Sequence, residues 1–103
     1  MAEKKTSGKF DLGQVVVTRG IDEWIKSGGA EIYRFVSTCL GRHVQGDWGD
    51  CYPEDAKQND EALKSGEERL FSVYKHSKAP DGKIWIITEW DRSVTTILFP
   101  SEY

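Results

Sequence analysis

The stretch KIWIITEWDRSVTTILF, residues 83–99, decides which fold the sequence predicts. Residues 83–90 are apolar at alternate positions on both faces: Ile84, Ile86 and Trp90 on one, Trp85 and Ile87 on the other. This pattern is typical of a central strand that is covered on both sides. Asp91 and Arg92 then turn the chain, and residues 94–99 return as a second strand. The stretch therefore predicts an antiparallel hairpin in the middle of a β-sheet.

Two further strands are predicted outside this hairpin. Residues 70–76 (LFSVYKH) combine aromatic residues with valine, and a turn at residues 80–82 (PDG) connects them to the hairpin. Residues 14–18 (QVVVT) form a β-branched run that is consistent with a buried strand. The predicted sheet has three meandering antiparallel strands, with the first strand of the chain added at an edge.

Three helices are predicted between the strands, in the order β-α-α-α-β-β-β. The clearest of them carries one apolar stripe at helical spacing: Ile32, Phe35, Val36, Cys39, Leu40 and His43. A shorter helix with Trp24 on its apolar face precedes it and is closed by Gly28 and Gly29. The third begins at Pro53 and ends at Gly66. The sequence therefore predicts an α+β fold, with helices packed on one face of a three- to four-stranded antiparallel sheet.

The chain has 103 residues, which is the size of one domain. We expect residues 1–9 to be a disordered leader, because they are polar and show no periodicity, and residues 10–103 to form a single α+β domain. The sequence shows no apolar run long enough for a membrane span and no signal peptide, so we expect a cytoplasmic protein without membrane contact. Two cysteines are too few for a disulfide framework, and no phosphate- or dinucleotide-binding motif is present, so no cofactor is expected.

Charge is concentrated in one part of the sequence. The net charge of −3 argues against direct binding of nucleic acid, which requires a basic surface. Residues 47–68 contain eight carboxylates and two lysines, a net charge of −6. Such a run is either a solvated helix face or a negative surface for a basic partner. The candidate binding surface consists of Asp47, Trp48, Asp50, Glu54, Asp55, Asp60 and Glu61.

Trp48 belongs to this candidate surface because it lies between glycine and aspartate in a predicted loop. A tryptophan in a loop is a reasonable anchor for a protein interface. The alternative interpretation is that Trp48 folds back over the hydrophobic core.

A second hypothesis is a metal site formed by His43, Asp47 and Asp50. An imidazole and carboxylates within a few residues can hold a divalent ion, which a nuclease or hydrolase uses to activate water. No established spacing such as HExxH supports this hypothesis. The alternative is structural: the aspartates accept backbone hydrogen bonds in loops and caps, and His43 makes a hydrogen bond beside the core. We therefore expect a protein that is not an enzyme.

The hairpin turn contains Glu89, Asp91 and Arg92. A carboxylate and a guanidinium at a turn form a bidentate ion pair, which we expect to hold the register of the hairpin. The alternative is a functional surface beside Trp90.

Three motifs are more specific than composition: RHVQGDWGD (42–50), NDEALKSGE (59–67) and KIWIITEWDRSVTTILFPSEY (83–103). In this order they resemble a family of small proteins of bacterial plasmids and other mobile elements. Its members are commonly labelled plasmid-related proteins or type I restriction subunits. The resemblance covers residues 10–103 and implies a genomic setting more than a mechanism.

Three functions are consistent with these features. The first is a non-catalytic protein of a mobile element that binds a basic surface on a host, phage or plasmid protein and inhibits DNA processing or defence, as anti-restriction and anti-CRISPR proteins do. The second is a small metal-dependent nuclease or hydrolase using His43, Asp47 and Asp50. The third is a structural module that forms oligomers through the edge of its sheet.

Overall fold

The computed structural model describes residues 8–103. The predicted disordered leader, residues 1–9, therefore lies outside the described residues except for Gly8 and Lys9. The elements follow the chain in this order: β1 (Gln14–Val17), α1 (Arg19–Val44), α2 (Pro53–Ser65), β2 (Leu70–Lys75), β3 (Lys83–Thr88), β4 (Val94–Leu98) and a 3-10 turn (Pro100–Glu102). The α+β class is confirmed, but the described residues contain two α-helices rather than the three that were predicted.

The first two predicted helices form a single element, α1, with a kink at Gly29. Thr18 caps its start, because the Thr18 hydroxyl accepts a hydrogen bond from the amide of Ile21. Gly29 has φ 68° and ψ −150°. This conformation lies outside the helical region, and its positive φ favours glycine. Helical geometry resumes after this residue, so the predicted break is a kink rather than an end. Neither helix in residues 8–103 is long and apolar enough to cross a membrane.

The sheet has the strand order β1-β4-β3-β2. The hairpin of β3 and β4 and the pairing of β2 with β3 are antiparallel, as predicted, and β3 is a central strand. β1 is parallel to β4, with Gln14 beside Val94 and Val17 beside Ile97, so the prediction of a purely antiparallel sheet is wrong. Parallel neighbours need a long crossover, and here the whole intervening chain, residues 18–93, supplies it.

β1 is also not the buried strand that its β-branched sequence suggested. It is an edge strand, as predicted, but the side chains of Val15 and Val17 are 41% and 40% exposed. The apolar run therefore reflects β propensity at an edge rather than burial in the core.

The core lies between α1 and one face of the sheet. It is formed by residues from the helix and all three antiparallel strands: Ile21, Ile32, Val36, Cys39, Tyr74, Ile84, Ile86, Ile97 and Phe99. On the opposite face of the sheet, the half-buried indole of Trp85 packs edge-on against Phe71 and Tyr103. β3 is thus covered by α1 on one side and by aromatic side chains on the other.

α2 lies along the outer edge of β2 and closes part of it through Asn59. The Asn59 amide nitrogen donates to the carbonyl of Phe71 at 2.6 Å, and its side-chain oxygen accepts from the amide of Phe71 at 3.0 Å. The side chain thus satisfies the same two backbone groups that a neighbouring strand would satisfy. Asn59 is 3% exposed, so these bonds are shielded from water.

The loop before α2 closes the rest of the β2 edge. The amide of Val73 donates to the carbonyl of Trp48 at 3.1 Å, and the amide of Asp50 donates to the carbonyl of Val73 at 2.6 Å. Gly49 lies between them with φ +75°, and a Cβ atom at this position would be 2.0 Å from the Val73 carbonyl oxygen. The close approach of the loop to the strand therefore requires glycine at this position.

Arg92 joins the hairpin to the end of α2. Its Nη1 donates to the carbonyls of Glu68, Glu89 and Trp90 at 2.7, 3.2 and 3.0 Å, and its Nη2 donates to the carbonyl of Ala62 at 3.2 Å. The expected ion pair between Arg92 and a carboxylate of the hairpin is therefore wrong. The guanidinium instead satisfies backbone oxygens, including one in the last turn of α2.

The contact of Asn59 with β2 can be tested by the substitution Asn59→Ala. We expect a loss of about 1–3 kcal/mol in the free energy of unfolding, because the amide and carbonyl of Phe71 lose their buried partners. Urea unfolding measures this loss. The control is Gln58→Ala on the exposed side of the same helix, which we expect to change stability by less than about 0.5 kcal/mol. Equal effects of the two substitutions would contradict the assigned role of Asn59.

Candidate functional site

The loop between α1 and α2 holds the first residues of the candidate surface. Asp47 accepts two hydrogen bonds from the guanidinium of Arg42, at 2.7 and 3.1 Å, and one from the amide of Gly49 at 3.2 Å. The hydrogen bond from Arg42 is the main reason why the pKa of Asp47 is lowered. The Asp47 carboxylate is thus paired within the chain and organises the loop.

Trp48 is not a surface anchor, because its side chain is only 6% exposed. Its indole packs against the rings of Phe10 and His43. The indole Nε1 donates to the carboxylate of Asp60 at 2.9 Å. Of the two interpretations of Trp48, the structure shows the one in which the indole folds over the core. Asp60 serves as its hydrogen-bond acceptor.

Asp50 lies at the edge of β2. Its side-chain oxygen accepts a hydrogen bond from the amide of Lys75 at 2.9 Å. Since its backbone amide bonds to Val73, Asp50 satisfies two backbone groups of the same strand. The position of Asp50 is therefore determined by the sheet.

The remaining acidic residues of the candidate surface lie on different sides of α2. At 3.6 residues per turn, Glu54 and Glu61 lie nearly opposite the buried Asn59 and face solvent. Lys57 and Lys64 lie beside them on the same face. Asp55 is half-buried on the side that faces the sheet. The seven predicted residues therefore do not form one continuous negative patch. They lie in the loop, at the edge of β2 and on two different sides of α2.

His43 lies at the centre of a buried chain of hydroxyl groups. Its Nδ1 is 2.6 Å from the hydroxyl of Ser72, and its Nε2 is 2.9 Å from the hydroxyl of Thr88. The Thr88 hydroxyl is 2.7 Å from that of Thr95, which donates to the carbonyl of Leu12. His43 is fully buried, and this burial lowers its pKa to about 4. Both ring nitrogens are therefore occupied by structural hydrogen bonds.

The residues of the metal hypothesis are not arranged as a metal site. Asp47 is paired with Arg42, Asp50 is bonded to Lys75, and both nitrogens of His43 have hydroxyl partners. Within residues 8–103 there is no group of three histidine, cysteine, aspartate or glutamate side chains that would hold an ion. These contacts instead match the structural alternative for all three residues.

Neither thiol is activated for nucleophilic chemistry. Burial raises the pKa of Cys39 to about 12, and burial is also the main cause of the raised pKa of Cys51. Because the thiolate is the reactive form, both cysteines are poor nucleophiles at neutral pH.

A cavity of about 300 Å³ opens between the start of α2 and the face of the sheet opposite α1. Its walls combine aromatic rings with charged groups of both signs: Asp50, Cys51, Tyr52, Asp55, Phe71, Val73, Lys75, Lys83 and Trp85. Two carboxylates face two ammonium groups, so the cavity is balanced in charge. The sequence pattern identified Asp50 and Asp55 but did not single out Tyr52, and it placed Trp85 only on one apolar face of the central strand.

Tyr52 and Trp90 are the exposed aromatic residues at the two ends of α2. Tyr52 directly precedes the helix and is 76% exposed. Trp90 is 62% exposed, and Arg92 links its carbonyl to that of Ala62 in the last turn of α2. α2 has 13 residues, which corresponds to a length of about 20 Å. We refer to α2 together with Tyr52 and Trp90 as the α2 surface.

Comparisons of the chain with models of protein families, with curated proteins and with solved structures found no match. The resemblance to the plasmid-related family and the functions that it implies therefore remain predictions.

The buried state of His43 makes the stability of the protein dependent on pH. Its pKa is about 4 in the folded protein, against an ordinary value of 6.5 in an unfolded chain. Between these values the unfolded state binds a proton that the folded state does not, so stability falls as the pH falls. From this group alone we expect the free energy of unfolding to be about 2 kcal/mol lower at pH 5.0 than at pH 7.5.

Urea unfolding at several pH values between 5.0 and 7.5 measures this dependence. We expect His43→Gln to be less stable at every pH but to lose most of the slope, because glutamine does not titrate. His76→Asn controls for the other histidine and is expected to keep the slope. An unchanged slope in His43→Gln would show that the dependence arises elsewhere.

Proposed function

We propose that this chain is a non-catalytic protein-binding protein that contacts a basic surface of its partner through the α2 surface. The observation that carries this proposal is the pair of exposed aromatic side chains, Tyr52 and Trp90, at the two ends of α2. Tyrosine and tryptophan dominate the binding energy of many protein interfaces, because each buries a large area at a small cost in side-chain entropy.

The charge of the α2 surface supports a basic partner. Within residues 8–103, the carboxylates of Glu54, Asp55 and Glu61 make no ion pair within 4.0 Å. Within α2 these three carboxylates outnumber the two cations, Lys57 and Lys64. The surface therefore keeps a net negative charge after Asp47 and Asp60 have been assigned to internal contacts. Such a charge accelerates association with a basic surface more than it strengthens the complex.

The chemistry of the described side chains supports a non-catalytic role. His43 is buried and bonded at both nitrogens, and the pKa of both thiols is raised. Asp47 and Asp50 are engaged by Arg42 and by the backbone of β2. The three residues of the metal hypothesis are thus used to hold the fold, and neither thiol is activated.

We propose further that the partner is a DNA-processing or defence enzyme of the host. The groove of such an enzyme is basic because it binds phosphates, so a negative protein surface can occupy it. The resemblance to proteins of mobile elements is the reason for choosing this class of partner among basic proteins. An inhibitor of this kind needs only to compete with nucleic acid for the groove.

The charge part of the proposal is tested with the triple variant Glu54→Lys, Asp55→Lys and Glu61→Lys. Tagged protein is used to capture partners from a lysate of the host, and mass spectrometry quantifies them. Partners captured by the wild type are expected to fall at least tenfold with the variant, because three attractive charges become repulsive. Added duplex DNA is expected to release the same partners, since both ligands compete for one groove.

The matched control is Asp22→Lys, Glu23→Lys and Glu31→Lys on α1, which changes the net charge by the same amount. These carboxylates form exposed ion pairs that contribute little to stability, so the fold is expected to persist. Thermal unfolding verifies this for both triple variants. The charge-based account is wrong if both variants retain the wild-type partners, or if both lose them equally.

The aromatic part is tested separately with Tyr52→Ala and Trp90→Ala in one chain. We expect this double variant to weaken binding to each captured partner at least tenfold, mainly through faster dissociation. Surface plasmon resonance with the purified partner measures the rate. Tyr33→Ala removes a ring of similar exposure (61%) from α1 and is expected to have no effect. Equal dissociation rates for all three proteins would contradict the role of the α2 surface.

A further inference from the structure

The two edge strands of the sheet differ in whether their outward backbone groups have hydrogen-bond partners. Outward backbone groups of alternate residues of β2 have partners: both groups of Phe71 bond to Asn59, and both groups of Val73 and the amide of Lys75 bond to the loop that contains Asp50. An edge that is closed in this way cannot accept another strand. β1 forms the opposite edge, and the described residues place no element beyond it.

Within residues 8–103, the backbone groups of β1 without a described partner belong to Val15 and Val17. The amides of Gln14 and Thr18 donate to Ser93 and Ile97, at 2.9 and 3.1 Å. In a parallel ladder alternate residues bond to the same neighbour, so Gln14, Val16 and Thr18 face β4. Val15 and Val17 therefore direct their amides and carbonyls away from the sheet, where no described residue is bonded to them.

β1 lacks the features that usually protect an edge strand. Its sequence, QVVV, contains no proline or charged residue, and its pairing with β4 is regular along all four residues. The side chains of Val15 and Val17 are 41% and 40% exposed at the same edge. Apolar side chains and free backbone groups thus occur together on the strand.

We propose that β1 is a self-association surface, and that its partner is β1 of a second copy of this chain in antiparallel orientation. With the twofold axis at Val16, Val15 of each copy lies opposite Val17 of the other. Each such pair exchanges two hydrogen bonds, which satisfies the outward groups of both copies. Other antiparallel registers leave some of these groups without a partner.

The charges next to β1 support the antiparallel orientation. The exposed Asp11 precedes the strand, and Arg19 follows it with a 91% exposed side chain that forms a surface ion pair with Glu23 at 3.2 Å, a contact of little energy. Antiparallel pairing brings the Arg19 end of each copy beside the Asp11 end of the other, whereas parallel pairing brings like charges together. The four-residue strand is self-complementary in hydrogen bonding, shape and charge. The pairing buries less area than a stable interface, so the dimer requires a high protein concentration.

Sedimentation equilibrium of the full chain from 20 µM to 1 mM tests the proposal. The weight-average mass is expected to rise from 11.7 kDa towards twice that value. Val15→Pro removes only an outward amide, because Val15 does not donate to β4, and it is expected to lower the association constant at least tenfold. Val15→Thr keeps the amide and the β-branched shape and is expected to dimerise like the wild type. Thermal unfolding verifies that both variants fold.

A second variant, Val15→Lys with Val17→Lys, keeps the whole backbone and places like charges on both copies. We expect it to remain monomeric, whereas Gln58→Lys with Ser77→Lys adds the same charge away from β1 and is expected to dimerise. This pair keeps the proposal testable if the proline variant does not fold.

Amide hydrogen exchange measured by NMR identifies the surface directly. With increasing concentration, exchange at Val15 and Val17 is expected to slow, while exchange at Val16 stays constant. A chain that remains monomeric at 1 mM overturns the proposal, and so does a dimer that Val15→Pro and the lysine pair leave intact. Protection of Val15 and Val17 at every concentration also overturns it, because another part of the same chain would then cover the edge. These outcomes do not depend on the α2 surface.

Discussion

The hydrogen bonds of His43 are the contacts on which the arrangement of the domain depends. One imidazole, at the end of α1, bonds to Ser72 in β2 and Thr88 in β3, and Thr88 continues through Thr95 in β4 to the carbonyl of Leu12 before β1. This chain connects the helix with β2, β3, β4 and the segment that precedes β1. Its polar groups are buried, so each of them must find a partner within the protein. A shift of β3 or β4 would break two of these bonds together, and a shift of β2 would break the bond to Ser72, so the network contributes to how α1 lies on the sheet.

The parts of the fold that were predictable are those encoded by local periodicity. The stripe that runs from Ile32 to His43 identified α1, and the two apolar faces of residues 83–90 identified β3 as a central strand. The parallel pairing of β1 was not predictable, because it depends on how residues 18–93 cross the sheet. The sequence predicts a helix end at Gly28 and Gly29, whereas the structure has a kink at Gly29. Two adjacent glycines are compatible with either a helix end or a kink.

The candidate site was less predictable than the fold for a physical reason. A carboxylate in the sequence shows its charge but not its partner, and the partners here come from other elements. Asp47 is paired with Arg42 of α1, Asp50 accepts from the backbone of β2, and Asp60 accepts from the buried Trp48. A cluster in the sequence was thus divided among separate structural roles. The sequence does not show that Trp90 lies at the end of α2, because Arg92 brings the hairpin beside that helix through contacts between distant residues.

Because one edge of the sheet is closed, the size of any assembly formed by strand pairing at the open edge is limited. A fibril grows only if every added molecule offers a new free strand, and Asn59 with the loop at Gly49 removes the strand edge that would be needed. Addition through β1 consumes the remaining edge of both molecules, so growth ends after one step. Residues that might be assigned only to stability thus also limit edge-to-edge association of the folded domain, in which residues 8–103 leave the valine-rich β1 uncovered.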